Sequence, residues 1–251
     1  MAPTILTIVT NAKQLHLTDG TEYPSGFWAE ELAIPYARLR EAGFAIDIAT
    51  IDGVAPSVDA SSLDPDNIRW VVPDGTELDF GREVARYREI LAAIPDLRAP
   101  KNLADLDAPT LRSYAGIYIA GGHGCMTDMP SHPQIARVLL RALDAALPIA
   151  SVCHGPTAFL APRDAEGRNP FAGYRFTCFS QTEETRTPIW GRLPMVIEHD
   201  LVAQGLRHSK AAAPWGSHVV RDRNLVTGQN PYSSAALADA FVALLAERTH
   251  P

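Results

Sequence analysis

Short apolar, β-branched runs alternate along this chain with stretches of helical periodicity, and that alternation limits the fold more than any other feature. Ile5 to Val9 is such a run, and a polar loop then reaches Gly26. From Trp28 to Ala42, Trp28, Leu32, Tyr36 and Leu39 fall on one helical face. Pro35 lies inside that pattern and predicts a kink, and Gly43 predicts the stop. Phe44 to Thr50 is the next strand, which completes the strand–helix–strand unit of a parallel sheet. The rhythm resumes with a strand at Gly116 to Ala120, a helix from about Pro133 to Ala146 and a strand at Pro148 to Val152. Thr157 to Leu160 opens another helix. Tyr174 to Phe179 and Asn224 to Thr227 read as strands, and Ser234 to Glu247 as an alanine-rich closing helix. The prediction is an α/β fold with a mostly parallel sheet and helices on both faces. Ligands of such sheets bind beyond the carboxyl ends of the strands. Between about Asp52 and Ala108 the rhythm breaks around Pro56, Pro65, Pro73, Pro95 and Pro100, with one helical stretch near Arg82 to Ala93. This segment is too short and proline-punctuated for its own large core. It is read as an insertion or lid on one domain spanning residues 1–251.

The bulk properties exclude several classes. A net charge of -7 with no block of Lys or Arg argues against nucleic acid as a partner. No apolar run reaches the roughly 18 residues of a membrane span. The apolar start from Met1 to Thr10 lacks a basic lead-in and a cleavage site, so it is expected to be a strand and not a signal peptide. Three cysteines at irregular spacing point away from a disulfide framework and towards a reducing, cytoplasmic setting. Without a CxxC pair, a thiolate zinc site is not expected.

The segment that carries most chemistry is Ile149-Ala150-Ser151-Val152-Cys153-His154-Gly155-Pro156. An apolar strand runs into Cys-His-Gly-Pro and then a helix, the layout of a nucleophile elbow with cysteine in the usual place of serine. Pro156 suits a first helical turn, where an N–H would have no partner. A thiol at a helix N-terminus is expected to have a lowered pKa. An isolated cysteine is more often a buried structural residue; its place at a strand end, beside His-Gly-Pro, favours the nucleophile. Ile119-Ala120-Gly121-Gly122-His123-Gly124 also follows a strand directly. Its glycines allow backbone N–H groups to face an oxyanion, although a plain tight turn has the same composition. Asp128 either braces this loop or caps a helix. Glu183 and Glu184 follow the Phe176-Thr177-Cys178-Phe179 run, where paired acids are ordinarily a solvated surface. Of Glu30 and Glu31, one faces the apolar side near Trp28 or Leu32, either half-buried with a raised pKa or snorkelling.

These segments, in this order, resemble the ThiJ/PfpI superfamily of the class I glutamine amidotransferase-like fold. The nearest likeness is to its heat-inducible chaperone and glutathione-independent glyoxalase (glyoxalase III) branch. The likeness is carried by Gly26 to Pro35, Ala120 to Pro130, Ser151 to Pro156, Phe176 to Thr185, Ala213-Pro214-Trp215 and Val226 to Pro231. It implies a flavodoxin-like three-layer sandwich. It further implies that Cys153 is the nucleophile, His154 its partner and Glu184 the orienting acid. Glu31 matches the glutamate near the cysteine, and the N–H groups of Gly122 and His154 match the oxyanion hole. His123 and Asp128 are supporting residues. The acid before Glu184, Glu183, leaves open which of the two is the third member. Asp52-Gly53-Val54 departs from the branch's usual Ser-Pro-Gly-Gly. The implied activity converts methylglyoxal or a related α-oxoaldehyde to a 2-hydroxy acid without cofactor or metal, in a homodimer. A cysteine amidase or peptidase, and a holdase chaperone with an exposed apolar patch, are the alternatives.

Overall fold

The computed structural model describes residues 2–249, so the expected 1–251 domain extends beyond the described residues at both ends. In chain order the strands are β1 (Thr4–Ile8), β2 (Gln14–His16), β3 (Glu22–Pro24), β4 (Ala45–Thr50), β5 (Lys101–Asn102), β6 (Gly116–Ile119), β7 (Ile149–Val152), β8 (Arg175–Phe176), β9 (Arg207–His208), β10 (Val219–Asp222) and β11 (Leu225–Gly228). Seven of them form the central sheet in the order β10-β11-β7-β6-β1-β4-β5. All its pairings are parallel except β10 with β11.

Because side chains alternate along a strand, each strand feeds two cores. Leu6, Ile8, Ile117, Ile119 and Ile149 pack on one face with Ile135, Val138 and Leu139 of the helix Pro133–Asp144. Ile5, Tyr118, Ala150 and Val152 pack on the other with Leu32 and Leu39 of the helix Ala29–Glu41 and Leu237 and Phe241 of the helix Ser234–Thr249. The fold is the flavodoxin-like three-layer α/β sandwich. Near-continuous apolar strands follow from burial on both faces.

Three local features differ from the sequence reading. The polar loop before Gly26 holds a short antiparallel pair, β2 with β3, whose buried Leu15 packs with Met126 and Ile189. The strand expected over Tyr174 to Phe179 is only β8, paired with β9 outside the central sheet. Its continuation crosses the sheet's end, where Thr177 N–H donates to Thr227 Oγ1 and Phe179 N–H to the Cys153 carbonyl. The helix expected after Cys153 is a six-residue 3-10 segment, Gly155–Leu160. Within residues 52–108 the main element is the helix Phe80–Ala92, capped by Asp79. Its Phe80, Val84 and Tyr87 share a core with Ala29, Ala33 and Ile34.

Candidate active site

Four neighbouring strands of the sheet deliver the site at their carboxyl ends. β1 leads to Thr10, β6 to Gly121–His123, β7 to Cys153, and β11 to Gln229 and Asn230. Cys153 has φ +58°, the left-handed region that a non-glycine residue enters at a cost of about 1–3 kcal/mol. Two backbone bonds hold it there: Cys153 N–H to the Gly228 carbonyl and Phe179 N–H to the Cys153 carbonyl, both 2.9 Å. The elbow expected from the sequence is present. The expected lowering of the thiol pKa is not: burial pushes the Cys153 thiol well up, and the Glu31 carboxyl beside it adds to this. The helical turn behind it is too short for a dipole that could offset those effects.

Cys153 Sγ lies 3.1 Å from His154 Nδ1, and His154 Nε2 lies 2.8 Å from Glu184 Oε2. The remaining carboxylate oxygen, Glu184 Oε1, is 2.9 Å from Nε2 of His123. An ionised carboxylate only accepts, so it draws the His154 proton to Nε2 and leaves the Nδ1 lone pair facing the sulfur. Burial opposes ionisation of Glu184, but the two histidines outweigh it and hold the carboxyl far below the usual range. His154 is pushed down to about 4, first by burial and then by the charge of His123, against the pull of Glu184. Burial would lower His123 as well, yet Glu184 wins and raises it. Near neutrality the arrangement is a neutral His154 beside a His123–Glu184 pair.

Glu183 and Glu184 are both buried but have different partners. Glu183 closes a capping box with Ser180. It also accepts from Trp215 N–H at 2.8 Å, Gln229 Nε2 at 2.9 Å and Asn230 Nδ2 at 2.7 Å. It is the fastener between three loops, and Glu184 is the acid that meets the histidines.

Of the two acids that begin the helix Ala29–Glu41, Glu31 is the one at 0% exposure. Burial raises its pKa well above the usual range, with the Cys153 thiol and then the Gly121 N–H working against the rise. Neither carboxyl oxygen completes a hydrogen bond of full geometry. Thiol and carboxyl therefore titrate as a pair that avoids carrying two negative charges. Gly121 makes room for them: a Cβ there would contact Glu31 Oε2 and approach the Val152 carbonyl to 2.5 Å. Gly122 has φ +114°, and a Cβ on it would come within 2.6 Å of Trp28 N. Gly122 and His154 line the same cavity as Cys153. Asp128 braces the segment after β1 and not the Gly121–Gly124 loop expected from the sequence: its Oδ2 accepts from Thr10 Oγ1 at 2.7 Å and Asn11 N–H at 3.0 Å. Burial raises its carboxyl to about 6.

The cavity over Cys153 measures about 360 Å³. Its wall includes Phe179 and Trp215, and its far rim comes from residues Asp59 to Asp74. Trp215 entered the sequence reading only as part of a resembling stretch; its role depends on the fastening by Glu183, which pattern alone does not display. Asp52 is not on the cavity lining; it accepts from Asn11 Nδ2 and from Val54 N–H. His123, His154 and Glu184 offer donor atoms within 4.8 Å of one another, the right types for a divalent metal. Each histidine Nε2 already faces a carboxylate oxygen, so a cation would have to displace both protons.

Fold and site together define a cysteine-dependent enzyme on a flavodoxin-like sandwich, with a Cys–His–Glu chain at the sheet's carboxyl edge. The chain belongs to the ThiJ/PfpI family: a family model described as ThiJ/PfpI family-like matches residues 24–209. It is 28% identical over 257 residues to a Pseudomonas aeruginosa protein named protein/nucleic acid deglycase HchA, covering 97% of this chain and 81% of that one. A protein of the same name from Escherichia coli O157:H7 is 29% identical, over 93% of this chain and 77% of its own. Among solved structures, the Francisella tularensis Rapid Encystment Protein 24 KDa superposes with a TM-score of 0.78 at 26% identity, over 98% and 99% of the two chains. Glyoxalase III from Candida albicans superposes with a TM-score of 0.74 at 22% identity, over 96% and 97%, a likeness of fold. No helix among the described residues is long and apolar enough to cross a membrane.

Proposed function

We propose that the protein converts methylglyoxal or a related α-oxoaldehyde to a 2-hydroxy acid without glutathione, with Cys153 as nucleophile. The observation that carries this is the placement of Glu31 and His154 beside one buried thiol. His154 Nδ1 takes the thiol proton as sulfur adds to the aldehyde carbon, giving a hemithioacetal. The new oxyanion lies where the N–H groups of Gly122 and His154 can meet it. Glu31 gives its proton to that oxygen and is then the carboxylate that removes the C1 hydrogen. Protonation of the enediol at C2 leaves a thioester, and water releases the 2-hydroxy acid and restores the thiol. C1 is oxidised and C2 reduced by the same amount, so no external oxidant is needed.

In this reading residues 52–108 are a lid on a single domain, supported by the rim that Asp59 to Asp74 lend the cavity. The protein acts as a cytoplasmic homodimer, a setting with which three free buried cysteines agree. The relatives named as deglycases make glycated protein or nucleic acid the competing substrate class. The test is lactate formation from methylglyoxal by purified protein in glutathione-free buffer. Wild type is expected to produce lactate, and folded Cys153→Ser none. Lactate from folded Cys153→Ser overturns the reading, and release of amines from glycated peptide with no lactate transfers it to the rival.

A further inference from the structure

The cavity is larger and more aromatic than methylglyoxal requires. A three-carbon substrate occupies a small part of about 360 Å³, a volume at the lower end for drug-sized ligands. One wall is a ladder of rings that begins at the candidate catalytic histidine. His154 and Phe179 have centroids 4.6 Å apart, and Phe179 and Trp215 5.5 Å apart. Trp28, Tyr23 and Trp70 line the same cavity from other segments.

Trp215 is held there at conformational expense. Its φ is +64°, a genuine outlier for a bulky side chain. The bond from its N–H to the buried Glu183, 2.8 Å long, keeps it in place. Strain of this kind persists where surrounding structure over-determines it and clusters at functional sites. The charged groups on the lining are Asp59, Asp74, Arg69 and Arg186 beside the His123–Glu184 pair. Two acids and two arginines cancel, so the rim favours a neutral ligand.

Building on the α-oxoaldehyde reading, we propose that the preferred substrates carry a flat apolar or aromatic group in place of the methyl, with arylglyoxals as the class and Trp215 as the residue that selects them. The chemistry is unchanged. Sulfur adds to the aldehyde carbon of phenylglyoxal, the C1 hydrogen leaves as a proton, C2 is protonated, and water releases mandelate. The ring lies along Phe179 and Trp215, and binding energy from this non-reacting part is spent on the reaction. In a hydrophobic pocket a single methylene changes discrimination about 10–200-fold, so a phenyl group provides a readable margin.

The experiment has two arms. In the first, kcat/KM for phenylglyoxal and methylglyoxal is measured without glutathione in wild type, Trp215→Leu and Trp70→Ala. The phenylglyoxal-to-methylglyoxal ratio is expected to exceed about 10 in wild type and to fall at least about tenfold in Trp215→Leu. Trp70 is 75% exposed, so Trp70→Ala is expected to fold even where the buried variant does not, and to lower the ratio as well. In the second arm, calorimetry compares mandelate with lactate on wild type, where mandelate should bind at least about tenfold tighter. A ratio at or below unity in wild type, a ratio unmoved in the folded variants, or equal binding of the two acids overturns the proposal. Tight mandelate binding with no turnover of either aldehyde defeats the glyoxalase reading and leaves the aromatic site standing.

Discussion

At the residue scale the question is what each of four glutamates does, three of them buried and Glu30 half-buried. Glu31 stands against the thiol and Glu30 beside it in sequence does not, because successive helix positions face about 100° apart. Glu31→Gln keeps the shape but removes the proton. Its kcat is expected to fall about 10²–10⁴-fold with KM little changed, in steady-state assays with methylglyoxal. If Glu30→Gln were the damaging change, the proton carrier would be wrongly placed. Glu183 and Glu184 separate in a different way. Glu184→Gln should fold normally and lose turnover, because the His154 tautomer and its pairing with His123 both depend on that carboxylate. Glu183→Ala should instead lose stability, since Trp215 N–H, Gln229 and Asn230 would keep buried donors with no acceptor. A buried donor left without an acceptor costs about 1–3 kcal/mol, so urea denaturation should show a loss of at least about 2 kcal/mol. A Glu183→Ala protein of full stability would refute its role as fastener.

At the element scale the strand ends matter more than the strands. Gly121 closes β6 at the point where Glu31, Val152 and Cys153 converge. Gly121→Ala puts a methyl 2.5 Å from the Val152 carbonyl and against the Glu31 carboxyl. The Glu31 carboxyl can swing aside but the Val152 carbonyl is backbone, so the end of β7 that carries Cys153 must move too, and a displacement near 1 Å costs about 100-fold in rate. Loss of kcat together with a lowered Tm is the expected outcome; retained activity would mean that Glu31 and Cys153 have no fixed positions to lose. Such features show how far the sequence could be read. The elbow was legible because strand, Cys-His-Gly-Pro and turn are contiguous, and the core strands because burial on both faces makes them apolar throughout. The division of labour between Glu183 and Glu184 was not legible. It is decided by Gln229, Asn230 and Trp215, which are distant in sequence and brought together only by the sheet. The same holds for β8, where the Thr177 and Phe179 bonds across the sheet's end overrule a strand-forming run. The direction of the Cys153 thiol was misread because a local turn was visible and the burial around it was not.

At the scale of the whole molecule, the buried titratable groups set opposite limits on stability. Glu30 is raised to about 8, chiefly by burial and then by Glu83, against the hydrogen bond from Tyr87. Its folded value lies above its ordinary 4.5, so folding disfavours its ionisation. The stability it contributes is complete below pH 4.5 and is lost as pH rises to about 8. Burial raises Glu31 as well, which adds to the same alkaline limb. His154 acts in the other direction. Its value falls from 6.5 to about 4, so its contribution is complete above 6.5 and is lost as pH drops towards 4. Glu184, held low by the two histidines, contributes above its ordinary 4.5 and loses that contribution in stronger acid. The two limbs overlap between about pH 4.5 and 6.5, and thermal stability is expected to peak near that interval and decline towards pH 9. Glu30→Gln isolates one side of the balance. A neutral amide has no proton to lose, so the difference in Tm, variant minus wild type, should grow steadily from pH 5 to about pH 8 and then level off. Melting curves across that range provide the check. Parallel curves for the two proteins would show that Glu30 ionises as freely in the folded chain as in the unfolded one, and would remove burial of the carboxyl as the source of the alkaline limb.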